Sequence, residues 1–286
     1  MLAVIEPPFG AYALPAWLEG LRRFGLCAGR SGLARRICSV IRRICIAGRP
    51  DPFDVEPFPG QKARLYPRDN LSEKRVFSAS QFWDHEEREV LAQAAAASAS
   101  PFMFVDAGAN VGLYTLAVLS TGPVRGLAVE PDPENLRRLR FNLAASGGDT
   151  ISVAGCALSD RDEEVFLAAS DTNRGEISLQ ATAADQTAVK VRAKPLIDVV
   201  REAGLDRIDA LKMDIEGMEA PVLEAFFNAA PAPLMPGLII LEARRGEETR
   251  ALEVARQNGY IASRRTKLNV ILTRPDDKKD PQHGKA

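Results

Sequence analysis

The spacing of apolar residues divides the chain into stretches of different period. Leu33, Ile37, Val40, Ile41 and Ile44 recur at helical intervals with paired arginines on the other side, so residues 17–49 predict a basic amphipathic helix. The proline-bearing stretch 49–60 reads as a loop, 63–66 as a short strand, and 86–97, made of good helix formers, as a helix entered through Phe82, Trp83, Asp84 and His85. The period then changes. Phe102, Met103, Phe104 and Val105 form a short, wholly apolar run ending in Asp106, which is how a strand buried on both faces of a parallel sheet reads.

From there strand-like and helix-like stretches alternate. The pattern predicts helices over 112–120, 133–145, 196–203, 218–227 and 247–258, and strands over 126–130, 151–154, 208–213, 238–241 and 269–273. Residues 170–188 are polar and fit either a hairpin or an active-site loop. Such alternation over roughly 170 residues argues for a doubly wound, mostly parallel α/β sheet. The expected parts are a basic amphipathic segment (1–50), a lead-in or cap (51–100), the α/β domain (101–273) and a charged, disordered tail (274–286).

Composition narrows the function. With 286 residues, 46% hydrophobic and 26% charged, the chain can bury a sizeable core. Lys+Arg of 37 against Asp+Glu of 38 leaves a formal net charge of -1, and the α/β part has no basic patch interleaved with aromatics, so nucleic acid is not an expected partner. Positive charge is instead concentrated in 17–49, where eight arginines face one acid, Glu19. That segment reads either as a helix for a membrane surface or partner, giving peripheral membrane contact through residues 17–49, or as a cap whose apolar stripe covers the domain. Cys27, Cys38, Cys45 and Cys156 form no C-x-x-C pair and the histidines are only His85 and His283, so no zinc site is expected and a reduced, cytoplasmic location fits. Glu6 and the early prolines argue against a cleaved signal, and the uncharged runs 107–124 and 225–241 are too broken by glycine and proline for membrane spans.

The turn after the first α/β strand carries the chemistry. Gly108 and Gly112 enclose Ala109, Asn110 and Val111 between a strand and a helix, where such folds bind nucleotide-like ligands, but the middle glycine of a dinucleotide fingerprint is missing. Asp106 would repel a diphosphate and favour a ligand bearing an ammonium and a sulfonium, as S-adenosylmethionine does. Glu130, about twenty residues on, stands where an acid accepts both ribose hydroxyls. Ala157, in Gly155-Cys156-Ala157-Leu158, is in position to line an adenine, or belongs to a plain turn; Cys156 reads as a small buried hydrophobe. Asp106, Gly108, Asn110, Gly112, Glu130 and Ala157 are therefore the candidate cofactor-binding residues.

FVDAGANVGLYT, AVEPDPENLRRLRFNLA and LKMDIEGMEAPVLEAF, in this order and spacing, resemble the FkbM-type methyltransferases of the S-adenosylmethionine-dependent, Rossmann-like superfamily. RLYPRDNLSEKRVF and FWDHEERE resemble that family's lead-in, so the likeness covers 65–273 and leaves 1–50 outside it. The resemblance implies a seven-stranded sheet with a reversed last strand, and methylation of a hydroxyl on a saccharide, glycolipid or secondary metabolite. It also likens Asn173-Arg174-Gly175-Glu176 to a substrate-side loop, in which Arg174 holds an acceptor anion or merely lies in an exposed turn.

On the acceptor side, Lys212, Asp214 and Glu216 alternate as a strand runs out, so they share a face. Asp214 is the candidate for orienting or deprotonating a hydroxyl, with Glu216 as second candidate and Lys212 as neutralising partner. Alternatively Lys212 and Asp214 are a structural ion pair, while Glu216 and Glu219 favour the start of the next helix. Glu242 with Asp214 and Glu216 offers an oxygen site for magnesium, but paired or solvated carboxylates are the plainer expectation, and no metal is called for. His85 is an alternative base, or partly buried among its aromatic neighbours. The expected function is an S-adenosylmethionine-dependent O-methyltransferase; the alternative is a non-catalytic scaffold or membrane-surface module.

Overall fold

Residues 6–98, 101–169, 177–178 and 188–275 are described by a computed structural model. Helices α1 (Ala16–Cys27) and α2 (Gly32–Ile46) precede a hairpin of β1 (Phe53–Phe58) and β2 (Gln61–Leu65), then α3 (Leu71–Ala79) and α4 (His85–Ala97). The α/β part follows as β3 (Phe102–Ala107), α5 (Leu113–Leu119), β4 (Val124–Val129), α6 (Pro133–Ala145), β5 (Ile151–Ala154), β6 (Ala157–Leu158), β7 (Glu163–Ala169), β8 (Ile177–Ser178), β9 (Val189–Lys194), α7 (Leu196–Glu202), β10 (Ala210–Met213), α8 (Glu219–Ala229), β11 (Leu238–Glu242), α9 (Arg250–Gln257), β12 (Ile261–Arg265) and β13 (Asn269–Thr273).

Seven strands form the main sheet in the order β12-β13-β11-β10-β3-β4-β5. All are parallel except β13, the last in the chain, which runs antiparallel to both β11 and β12. All six residues of β3 are buried. Phe102 and Phe104 join the core on one face, with Leu116 and Leu139, while Met103 and Val105 join the core on the other, with Leu211, Val222 and Leu252. This is the two-sided burial that an unbroken apolar run signals. After β3 the chain winds outward through β4 and β5, then returns to β10 on the other side, so the order reverses between β3 and β10. Open α/β sheets bind ligands at the carboxyl ends of the strands flanking such a reversal. Helix α6 begins cleanly because Asp132 Oδ1 accepts from Glu134 N at 3.1 Å and Asn135 N at 2.8 Å, with Pro133 in the first turn.

Several elements differ from the sequence pattern. The segment 17–49 is two helices, since Gly29 takes a positive φ of 71° and Ser31 Oγ caps α2 by accepting from Ala34 N at 3.1 Å. Their seam is built from Leu18, Gly25, Ala34, Cys38, Ile41 and Cys45, so of the anticipated apolar stripe only Ile41 is buried. Small residues let the helices approach closely: a Cβ on Gly25 would lie 3.0 Å from Ile41 Cδ1, and the Cys38 thiol donates to Gly25 O at 3.2 Å. Within the proline-bearing stretch, 53–58 is a strand; Pro57 is tolerated where the register shifts between Val55 and Phe58. Strand β12 escapes a period-based reading because it is an edge strand with no buried residue. A smaller sheet, β6-β9-β7-β8, is a further element that the apolar period does not announce. Arg174, most of the 170–188 stretch and the tail from 276 lie outside the described residues.

Candidate functional site

The ends of β3, β4 and β10 meet around a cleft of about 150 Å³. The turn after β3 is held against its neighbour by Gly108 N and Ala109 N, which donate to Val129 O at 3.0 and 2.9 Å. Gly108 has φ of 77°, and a Cβ there would lie 1.8 Å from the backbone oxygen of Asp214, so the turns after β3 and β10 can cross only at a glycine. Asn110 also takes a positive φ, 52°, with its Oδ1 accepting from Val111 N at 2.8 Å and from Asn70 Nδ2 at 2.9 Å.

Glu130 emerges at the end of β4 and is 3% exposed. Its Oε2 accepts from Asn110 N and its Oε1 from Asp132 N, at 2.8 and 2.9 Å, which fixes the carboxyl group while each oxygen keeps a further lone pair. Burial pushes its pKa up to about 7, against the pull of those two N–H groups.

Lys212 rises from β10 into the middle of the site. Its Nζ donates to Gly108 O at 2.8 Å, lies 3.5 Å from Asp214 Oδ2 and 3.8 Å from Asp106 Oδ1, and stands over the Tyr114 ring. Burial alone would lower its pKa, but Asp214 and Asp106 outweigh that and hold it above the ordinary lysine value. Asp106 is fully buried beneath the cleft: Oδ2 accepts from Thr115 Oγ1 at 2.7 Å and Thr115 N at 3.2 Å, while Oδ1 has no hydrogen-bond donor among the described residues. Burial raises its pKa against the opposing pull of Lys212.

Of the anticipated residues, Lys212, Asp214, Glu216, Gly108, Asn110, Glu130 and Ala157 all line the cleft. Asp106 and Gly112 do not: Asp106 lies behind the wall, and Gly112, with φ of 87°, starts α5 beside Leu139. His85 is also absent from the lining and sits 3.7 Å from Glu89 on α4. Its neighbours face the cleft instead. Trp83 packs edge-on against Tyr114 with ring centroids 4.9 Å apart, and Asp84, at φ 38°, accepts from the Tyr114 hydroxyl at 2.9 Å. Burial first, then Glu87, raises the Asp84 pKa. In the F-W-D-H run the left-handed backbone at Asp84 turns that carboxyl inward, in place of the histidine that follows it.

Glu242 ends β11 next to Asp214. Burial, then the charge of Asp214 and a hydrogen bond to it, push its pKa up to about 8. Asp214, Glu216 and Glu242 do not form a three-ligand metal cluster among the described residues. No described helix is long and apolar enough to cross a membrane.

The family model of the methyltransferase FkbM domain matches residues 106–261, more than half of the chain. The chain belongs to the FkbM methyltransferase domain family. The FkbM match contains the glycine turn, Glu130, Lys212 and Asp214, and begins after the two N-terminal helices. The chain is 31% identical over 159 residues to the methyltransferase sdnD of Sordaria araneosa, covering 44% of this chain and 60% of that protein. It is 29% identical over 207 residues to the AMB antimetabolite synthetase AmbE of Pseudomonas aeruginosa, covering 59% of this chain and 9% of that protein. The matches thus span less than two thirds of either relative. Among solved structures, an S-adenosylmethionine-dependent methyltransferase from Agrobacterium tumefaciens aligns with TM-score 0.44 at 9% identity, over 78% of this chain and 69% of that one. Precorrin-6y C5,15-methyltransferase from Geobacter metallireducens aligns with TM-score 0.39 at 15% identity, over 66% of this chain and 88% of that one.

Proposed function

We propose that this FkbM-domain chain is an S-adenosylmethionine-dependent O-methyltransferase acting on a hydroxyl of a saccharide, glycolipid or secondary metabolite. The observation that carries the reading is the convergence of Glu130, Lys212 and Asp214 on one cleft at the strand-order reversal. Four carboxyl side chains, Asp84, Glu130, Asp214 and Glu216, line it against the single ammonium of Lys212 among the described residues, a balance that suits a ligand with positive charge. The free lone pairs of Glu130 suit a ribose diol, and Leu158, Leu167, Cys156 and Ala157 supply an apolar wall for a purine. Bound there, S-adenosylmethionine supplies an electrophilic methyl group on a sulfonium.

The chain's own residues do the rest. Glu130 holds the ribose, and Asp106 works from beneath, tying α5 to β3 through Thr115 and fixing Lys212. Trp83, Leu113 and Tyr114 exclude water from one side of the cleft. Asp214, still 40% exposed, accepts a hydrogen bond from the acceptor hydroxyl and takes up its proton on the carboxylate as the oxygen becomes bonded. Lys212 Nζ, 3.5 Å from Asp214 Oδ2, holds that carboxyl group in place, and Glu242 at the end of β11 lies beside it. Arranging these groups in advance is itself a large part of catalysis.

Calorimetric titration with S-adenosylmethionine, its demethylated product and NAD tests the donor. Binding of the two sulfur compounds without NAD, lost in Asp106→Ala, supports the reading; binding of none favours a non-catalytic scaffold. Transfer of a labelled methyl group to hydroxylated glycans, glycolipids and small metabolites then tests the acceptor, with an O-methyl ether as the expected product.

A further inference from the structure

The two N-terminal helices carry a second apolar row, turned away from the seam that joins them. On α1 it contains Trp17 and Phe24, 66% and 64% exposed, and on α2 Leu33, Val40 and Ile44, 68%, 54% and 42% exposed. Leu21 and Ile37, beside these rows, are half-buried against the core, so the rows border the packed hairpin rather than a frayed end. Arg36 and Arg43 follow Leu33 and Val40 by one helical turn and stand alongside the α2 row, both exposed. Among the described residues no ion pair includes Arg30, Arg36 or Arg43, whereas Arg22 and Arg23 are held by Glu19. Exposed large apolar residues flanked by unpaired cations form the composition of a helix lying in the plane of a bilayer surface.

We propose that the α1–α2 hairpin docks the protein on an anionic lipid bilayer, with the apolar rows entering the headgroup–acyl boundary and Arg30, Arg36 and Arg43 on lipid phosphates. Charge decides between this occupant and a second copy of the chain. A copy laid on the same face would set these arginines against their counterparts, and the one acid of residues 17–49, Glu19, is already bonded to Arg22 and Arg23. An anionic membrane surface supplies the missing charge. The hairpin is also bound to the wall of the cleft: Gln81 Nε2 donates to Gly25 O at 2.9 Å and Ser78 Oγ to Cys38 O at 3.3 Å, and the same α3-to-α4 segment contributes Ser72 and Trp83 to the lining. Docking therefore holds the cleft in a constant relation to the bilayer. This inference does not depend on the methyl-transfer reading.

The test is co-sedimentation of the full chain with vesicles of phosphatidylcholine alone or with about one third phosphatidylglycerol. Binding is expected on the anionic vesicles, falling with salt and accompanied by a blue shift of tryptophan emission that Trp17→Phe removes, since Trp83 is already buried. Arg36→Gln with Arg43→Gln lowers partitioning about thirtyfold, and Leu33→Ser with Val40→Ser by at least tenfold. Both pairs keep the wild-type melting temperature, because the altered side chains are exposed. Equal sedimentation of wild type and both variants, or none on anionic vesicles, overturns the proposal. So does self-association, read by ultracentrifugation, that the same variants abolish while vesicle binding is absent.

Discussion

Gly108 and Asp214 touch backbone to backbone: the position a Cβ would take on Gly108 lies 1.8 Å from the Asp214 carbonyl oxygen. The turn after β3 and the turn after β10 that bears Asp214 are thus packed as one unit, and Lys212 Nζ bonds the Gly108 carbonyl from the same crossing.

Gly108→Ala is therefore expected to do more than add a methyl group. It strains a residue at φ 77° and pushes the two turns apart, at a combined cost of about 3 kcal/mol. Urea unfolding reads the lost stability, and calorimetry should show donor binding lost under conditions where the variant is still folded.

Asp214→Asn should lower kcat by roughly a hundredfold or more while leaving the donor Kd near that of the wild type. A purely structural ion pair with Lys212 gives the opposite pattern, lost stability with near-normal turnover in the fraction that is folded. Steady-state kinetics beside a melting curve separates the two.

Donor affinity should depend on pH through Glu130. In the proposed complex the ribose hydroxyls would donate to the ionised carboxylate, whose pKa burial raises to about 7, so affinity should weaken as pH falls through about 7 and binding there should release a proton. Titrations in buffers of different ionisation enthalpy measure that release. Glu130→Gln should bind more weakly and show neither the release nor the pH slope.

Glu242 makes a prediction about stability. Its pKa rises from 4.5 to about 8 on folding, so between those values the native state keeps a proton that the unfolded chain has lost. The contribution is fully present below 4.5 and is lost as pH rises to about 8. Glu242→Gln removes this loss, and its melting temperature should gain on the wild type as pH rises through that window. A constant difference between the two proteins across the window would contradict the shift.

Much of this could be read along the chain. The unbroken apolar run before Asp106 and the spacing of Gly108 and Gly112 are local patterns, and each element they announce is present; the alternation through Lys212, Asp214 and Glu216 outruns its strand, which ends at Met213, and Glu216 takes a left-handed φ of 54°. Elements without a local pattern are not legible in this way. Strand β12 has no buried residue, β1 lies among prolines, and the hairpin seam uses Cys38, Cys45 and Gly25 in place of the larger residues that catch the eye.

The division has a physical reason. Backbone preference and the period of apolar residues act between near neighbours, and so the order of strands and helices, the need for glycine at the first turn and the presence of carboxylates near it follow from the chain's own order. Which groups meet across that order depends on packing between distant segments. Asp84 rather than His85 faces the cleft because α4 packs beside α5; the Glu242 pKa is raised by burial and by the charge of Asp214, beside which β11 places it. Leu33 and Val40 are left facing outward because Ala34 and Cys38 fit the seam more closely. A side chain's charge and exposure are properties of its surroundings, and those are supplied by residues far away in the sequence.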